Sequence, residues 1–219
     1  MIPYEFFFTT EEMYPYLDDA KRDGLLSLLP LTRAARIRSP RKVEDRARRL
    51  AAEVALRRVL REAGESYAHL EIAYTPTGKP YFRARPDLSF SLSHAAGMAC
   101  VALVRAAEVA PRVGTDIEEI VSGDAFARRC RAADRFFSPS FMEELARTAE
   151  SEKPRVFTRL WCLTEAAGKA TGEGSSDFRE ADRLIALGET REVSYPLDSH
   201  DIRYATATVL LPPSEDSPV

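Results

Sequence analysis

The chain has 219 residues, 45% of them hydrophobic, enough to bury a sizeable core as one domain or as two compact halves. A formal charge of −3 argues against a dedicated nucleic-acid binder, and Cys100, Cys130 and Cys162, odd in number and far apart, suggest neither a disulfide framework nor a zinc site. The N-terminus lacks a basic region leading into an apolar one and no apolar run approaches the length of a membrane span, so the expectation is a cytoplasmic protein that engages no membrane.

Ile2 to Phe8 is rich in aromatics and reads as a buried strand. Leu17 to Leu29 is helix-like and stops at Pro30, and Ser39-Pro40 has the look of an N-cap with proline in the first turn of a helix running to about Glu62, ended by Gly64. Val43, Ala47, Leu50 and Val54 would be its apolar stripe. From Arg33 to Arg61 there are eleven Lys and Arg against Glu44, Asp45 and Glu53. Such a run is a solvated helix face or an anion site for which the planar fork of Arg suits phosphate, and the residues alone leave both open.

Ile72 to Tyr74 reads as a short strand, followed by the turn Pro76-Thr77-Gly78-Lys79-Pro80, where Lys79 sits on a stiff loop suited to presenting a charge. The turn is not a phosphate-binding Walker loop, because the upstream glycine and the following Ser or Thr are missing. Phe90 to His94 alternates apolar and polar, Ala95-Ala96-Gly97 gives a bend, and Met98 to Val104 is the most buried-looking strand, so Ser93 and His94 fall at the end of a hairpin. Arg105 to Arg112 is a loop. In Val113-Gly114-Thr115-Asp116-Ile117-Glu118 the two acids leave the same face of a strand while Thr115 and Ile117 point to a core. Side-by-side carboxylates repel unless a cation or proton intervenes, and an all-oxygen pair suits Mg²⁺, which takes one or two carboxylates with waters and substrate phosphates. Solvated acids at a strand end are the plain alternative.

Asp124 to Phe137 reads as helical, and Ser140-x-x-Glu143 as a capping box for a helix through Ala149, before Pro154 breaks the pattern. In Arg155 to Thr171, Val156, Leu160, Leu163, Ala167 and Ala170 share one helical face, while Trp161, Glu165 and Lys169 line another at i, i+4, i+8. An exposed Glu–Lys pair contributes only about 0.3–0.5 kcal/mol, but a tryptophan in line with it argues that this second face is also covered. Gly172 and Gly174 end the helix. Leu184 to Leu187, Glu192 to Tyr195 and Ile202 to Leu211 are expected as strands, and Pro212 to Val219 as a disordered tail.

Gly78-Lys79-Pro80-Tyr81, Phe90-x-Leu92-Ser93-His94, Val113-Gly114-x-Asp116-Ile117-Glu118 and Phe157-x-x-Leu160-Trp161-x-x-x-Glu165-Ala166-x-x-Lys169-Ala170-Thr171-Gly172 occur in that order, and with them the chain resembles the surfactin-type 4′-phosphopantetheinyl transferases from about Arg33 to Gly174. The resemblance implies an α+β fold of two similar α/β halves related by a pseudo-twofold axis, residues 1–108 on the nucleotide side and 109–211 with the metal-binding acids and catalytic helix, with 212–219 as the tail. It implies transfer of the phosphopantetheine arm of coenzyme A to a serine of an apo acyl or peptidyl carrier protein by a Mg²⁺-dependent monomer, with polyketide or nonribosomal peptide biosynthesis as the setting and no nucleic-acid partner. By position, Asp116, Glu118 and Glu165 match the metal-holding acids, Glu165 and Lys169 the catalytic pair, Ser93, His94, Lys79 and Pro80 the nucleotide loops, and Arg33, Arg36 and Arg48 the 3′-phosphate site. The family usually has Lys immediately before the helix Glu; here that position is Thr164, which leaves a non-catalytic coenzyme A or carrier-protein binding module as the alternative.

Overall fold

The computed structural model describes residues 3–172, 180–192 and 202–213. The N-terminal aromatic run forms β1 (Tyr4–Glu12), which pairs antiparallel with β5 (Met98–Ala106); β5 pairs in turn with β4 (Leu88–Ala95), giving the sheet order β1-β5-β4. Every residue of β5 except Arg105 is buried, because both of its faces are covered. Ala99, Val101 and Leu103 pack beneath α3 (Val43–Glu62), against Leu50, Ala51, Leu56 and Val59. Cys100, Ala102 and Val104 face the other way, toward Val113, Ile117, Tyr204 and Leu210 of a second sheet.

That second sheet consists of β6 (Arg112–Glu119), β7 (Glu189–Glu192) and β8 (Tyr204–Leu211) in the order β6-β8-β7. Its central strand β8 is buried throughout, with Ala205, Ala207, Val209 and Leu211 under α6 (Lys153–Thr171) and Tyr204 and Leu210 toward the first sheet. The layers therefore run α3, sheet, sheet, α6, and the connectivity repeats. Each sheet begins with a strand that precedes a long helix, and its other two strands follow that helix, the last of them taking the centre of the sheet.

The two sheets meet along two edges. Ser89, Ser91 and Ser93 alternate along β4 and present their hydroxyls to β6: Ser89 Oγ accepts from the Val113 N–H (3.3 Å) and Ser91 Oγ from the Thr115 N–H (3.0 Å), while Ser93 donates to Asp116 Oδ1 (2.6 Å). Side chains thus answer edge groups that a ladder would otherwise take. At the other edge the Tyr4 hydroxyl donates to Glu189, and the Arg191 guanidinium lies 4.7 Å from the Phe6 ring centre.

Smaller elements complete the chain. These are α1 (Asp19–Leu26), α2 (Leu31–Arg38), the β-ribbon β2 (Ile72–Tyr74) and β3 (Pro80–Phe82), α4 (Gly123–Phe136), α5 (Pro139–Arg147) and α7 (Ala181–Leu187). Several depart from sequence expectation. Pro30 opens α2 instead of merely ending α1, since a proline before the first turn has a preset φ and no donor to lose. Ser39-Pro40 lies outside α3, whose N-cap is Lys42, and α5 is capped by Ser138, which accepts from the Phe141 N–H at 3.4 Å, rather than by Ser140. Leu184 to Leu187 is helix, not strand: Ala181, Leu184 and Ile185 turn one face to the core at i, i+3, i+4, and a four-residue apolar run does not distinguish the two. Ile2, Gly174, 193–195 and 214–219 lie outside the described residues. Among the described residues, no helix is long and apolar enough to cross a membrane.

A close approach of helix to strand sets the site. A Cβ on Gly114 of β6 would lie 1.9 Å from the Ala166 carbonyl oxygen and 2.4 Å from the Ala170 nitrogen, so only glycine lets α6 lie this near β6. Gly114→Ala must push the helix off the strand; a loss of about 3 kcal/mol, the upper end for overpacking because backbone rather than side chain must give, is expected in urea unfolding of the purified protein.

Candidate active site

Three elements brought together by that approach place charge around one cleft. Asp116, on β6, is 3% exposed, and its Oδ1 accepts from Lys169 Nζ of α6 (2.6 Å) and from Ser93 Oγ of β4 (2.6 Å); Lys169 also donates to Ser93 Oγ (2.9 Å). Asp116 Oδ2 is buried with no hydrogen-bond partner. Such an orphaned carboxylate oxygen is costly unless a cation or donor completes it. Glu118, two residues along the same strand face, and Glu165, one helical turn before Lys169, line the same cavity of about 430 Å³. Burial, followed by the charges of Asp116 and Glu165, pushes the Glu118 carboxyl up to about 7, against the partial opposition of Arg129, 3.4 Å away, and of Lys169. Burial and Asp116 likewise raise Glu165. Burial by itself would lower Lys169, but Asp116 and then Glu165 outweigh it and hold the ammonium above its ordinary range.

The rest of the lining is rich in arginine. Arg33 and Arg36 of α2 line the cleft with Arg49 of α3 and Tyr74 of β2. Arg33 is fixed from behind: its Nε donates to Glu53 Oε2 at 3.1 Å, its Nη2 to the same oxygen, and its Nη1 contacts the Tyr74 hydroxyl. Glu53 is 1% exposed and takes a further bond from the Tyr67 hydroxyl. The Glu53 charge raises the pKa of Arg33 in spite of burial. Arg36, exposed, stacks with its guanidinium 4.2 Å from the Tyr74 ring centre. Arg49 donates to the Arg36 carbonyl (2.7 Å) and Ser39 Oγ (3.0 Å).

Of the residues singled out from sequence, Arg33, Arg36, Pro80, Ser93, His94, Asp116, Glu118, Glu165 and Lys169 share this cavity. His94 is the penultimate residue of β4, exposed at its edge; the protein mass around its ring, and then the nearby charges of Lys169, Arg48 and Arg49, lower its pKa. Two side chains turn elsewhere. Arg48 donates through Nε to the Ala96 carbonyl (2.6 Å) and pairs with Asp45, while Lys79 donates through Nζ to the Ala170 carbonyl (2.8 Å). Thr164 is 1% exposed, bonded to the Leu160 carbonyl at 2.9 Å, and is not among the residues lining the cavity. Arg49, Tyr74 and Glu53 were missed. Glu53 carried a readable signal, a lone acid inside the apolar run Ala51-Ala52-Glu53-Val54-Ala55, which a helix buries and which then demands a cation.

Among the described residues, no group of three or more His, Cys, Asp or Glu side chains is gathered closely enough to hold a metal ion. Comparison with known proteins fixes the family. The 4′-phosphopantetheinyl transferase superfamily pattern matches residues 112–209. Over 171 residues, 78% of this chain and 69% of the relative, the sequence is 31% identical to the 4′-phosphopantetheinyl transferase psf-1 of Bacillus pumilus. The chain belongs to the 4′-phosphopantetheinyl transferases. A 4′-phosphopantetheinyl transferase of Bacillus subtilis is 26% identical over 188 residues, 85% of this chain and 71% of that one, and HetI of a Nostoc species is 31% identical over 169 residues, 75% and 66% respectively. In this member of the transferase family the superfamily match covers β6, α6 and most of β8, and with them Asp116, Glu118, Glu165 and Lys169.

The raised Glu118 carboxyl has a thermodynamic signature. A group bound more tightly to its proton in the fold than in the unfolded chain contributes stability that is fully present below about 4.5 and is lost as pH rises through about 7. Denaturant midpoints measured across this window in EDTA should therefore show a downward slope that Glu118→Gln, which cannot ionise, flattens.

Proposed function

We propose that this transferase moves the phosphopantetheine arm of coenzyme A onto a serine of an apo acyl or peptidyl carrier protein, with the cavity between the halves as its active site and adenosine 3′,5′-bisphosphate as the product released. The observation that carries this reading is the meeting, in one cavity, of arginines (Arg33, Arg36, Arg49) with the acids Asp116, Glu118 and Glu165 and with Lys169. A dianionic phosphate fits the first and the pyrophosphate of coenzyme A, with its counter-cations, the second. The serine oxygen attacks the phosphorus bearing the arm, the bond from that phosphorus to the bridging oxygen breaks, and the electron pair leaves with adenosine 3′,5′-bisphosphate. Glu165, its carboxyl raised by burial, takes the serine proton. Lys169, held by Asp116 and Ser93, presents its charge to the phosphoryl group in transfer.

Mg²⁺ fits the donor set. Asp116, Glu118 and Glu165 would hold it, hard oxygen ligands all, and the buried Oδ2 of Asp116 is the atom left without a partner when Lys169 and Ser93 take Oδ1. A full protein cage is not required, because Mg²⁺ keeps waters and takes phosphate oxygens. When bound, it supplies neutralisation of charge on the pyrophosphate. Ser93, His94, Gly78 and Pro80 form the nucleotide floor in this reading, and Arg36 and Arg49 the 3′-phosphate contacts, with Arg33 as their buried support. The alternative of a non-catalytic binding module is not favoured: Arg49 adds a cation to the cavity that Thr164 does not supply. We further read the repeated connectivity as two halves, residues 1–108 and 109–211, related by a pseudo-twofold axis. Such an axis sets the first strand of each half beside the outer strand of the other, as β6 lies by β4 and β1 by β7. A monomer working in the cytoplasm, on carriers of polyketide or nonribosomal peptide assembly, completes the proposal.

Incubation with coenzyme A, Mg²⁺ and an apo carrier should add the mass of one phosphopantetheine group to the carrier in intact-mass measurement. Asp116→Asn, which keeps the shape but not the charge, is expected to lower the rate at least about hundredfold, the scale of losing a preorganised electrostatic contact; full activity in that variant removes the acid assignment. Binding measured by calorimetry should favour coenzyme A over its 3′-dephospho form, and Arg36→Ala with Arg49→Ala should shrink the difference by about tenfold, the worth of one charge-assisted bond.

A further inference from the structure

The last carbonyls of a helix have no donor within it. At the end of α6 the chain answers some of its own: the Gly168 carbonyl accepts from the Gly172 N–H (3.1 Å) and the Thr171 hydroxyl (2.9 Å). Two others are answered from the opposite half. Lys79 Nζ donates to the Ala170 carbonyl at 2.8 Å, and the Thr77 hydroxyl donates to the Gly172 carbonyl. Both donors sit on the turn between β2 and β3, whose own shape is held by the Gly78 N–H to the Thr75 carbonyl (2.9 Å) and the Thr75 N–H to the Lys79 carbonyl (2.9 Å). The fit is close enough that a Cβ on Gly172, a left-handed cap with φ +81°, would lie 3.1 Å from Lys79 Cδ. A cation at this end also opposes the helix dipole.

The same turn faces the cavity from its other side, where Gly78 and Pro80 form part of the lining. It is therefore in contact with both the cavity and the last turn of the helix that carries Glu165 and Lys169. Resting on the transferase reading above, we propose that the β2–β3 turn is a strut and Lys79 a positioning residue: coenzyme A seated on Gly78 and Pro80 holds the turn, and the turn, through Lys79 and Thr77, holds the end of α6 so that Lys169 stays on Asp116 and Ser93. Lys79 acts here through the helix and not by touching coenzyme A with its amine. Its surroundings agree, since burial and then Arg112 bring its pKa down to about 7, and an amine in either protonation state still donates to the carbonyl.

The test combines kinetics with amide exchange on the full chain. Lys79→Met keeps the stem that packs on Gly172 and removes the donor; Lys79→Arg restores a donor. Lys79→Met should lower kcat for transfer about tenfold while the Kd for coenzyme A changes less than threefold, Thr77→Val should act in the same direction, and Lys79→Arg should recover most of the loss. Amides of residues 168–172 should exchange faster in Lys79→Met, and added coenzyme A should slow them in the unmutated protein but not in the variant. A Kd raised tenfold with kcat intact would make Lys79 a direct ligand and overturn the strut, as would unchanged kinetics and exchange. Should the unmutated protein transfer nothing, the transferase reading fails on its own, and the exchange of residues 168–172 still decides for or against the strut.

Discussion

The triangle of Asp116, Lys169 and Ser93 ties one residue from each of three elements, β6, α6 and β4, and so joins the two sheets and the long helix. Removing two charges from water is expensive, and the attraction between them offsets that cost only where geometry is good and the remaining hydrogen-bonding capacity is met. Here one lysine and one hydroxyl meet a single carboxylate oxygen and leave the second unmet. Packing supplies what the polar contacts do not. The α6 backbone reaches β6 because Gly114 has no side chain, and the apolar face of the helix covers β8. The ionic arrangement is thus held in place by the core, and its unsatisfied oxygen is a local deficit that a bound cation can remove.

Across the cavity the logic differs. Arg33 is enclosed and its charge is already balanced by Glu53, so it acts as a fixed post around which Tyr67 and Tyr74 are arranged. Arg36 rests on the Tyr74 ring at the rim and keeps its donors available. A guanidinium spread over an aromatic face loses less freedom on meeting an anion than a free side chain does. The cavity therefore joins a basic lining to acids of which Glu118 and Glu165 hold their protons more tightly than usual, and a polyanion accompanied by a cation suits both at once.

Much of this was legible in the residues. The strands Phe90 to His94, Met98 to Val104 and Val113 to Glu118 form as their patterns predicted, and the second face of α6 is half-buried, with Trp161 packed among Phe136, Phe137 and Phe157 and with Glu165 and Lys169 lining the cavity. What sequence did not give was direction. Arg48 and Arg49 are neighbours on one helix, about 100° apart, and a run of arginines carries no mark of which one faces the cleft. Lys79 was correctly placed on a stiff turn, yet its amine bends to a helix end that lies ninety-one positions later in the chain. Short apolar runs such as Leu184 to Leu187 hid their helical state, and the α2 segment was masked by its charges, because a helix whose buried residues are Arg33, Ala34 and Ile37 shows almost no hydrophobic stripe.

The serine seam between β4 and β6 bears on how the chain can be divided. Each sheet keeps its own three-stranded ladder, so cutting the loop 107–111 would break no backbone pairing between strands. Yet each fragment would then present a bare sheet face, Cys100, Ala102 and Val104 in one and Val113, Ile117 and Leu210 in the other, beside an uncovered strand edge. Exposed edges and apolar faces of that kind recruit other chains. Such pieces are expected to need each other's company, as a co-expressed fragment pair for complementation.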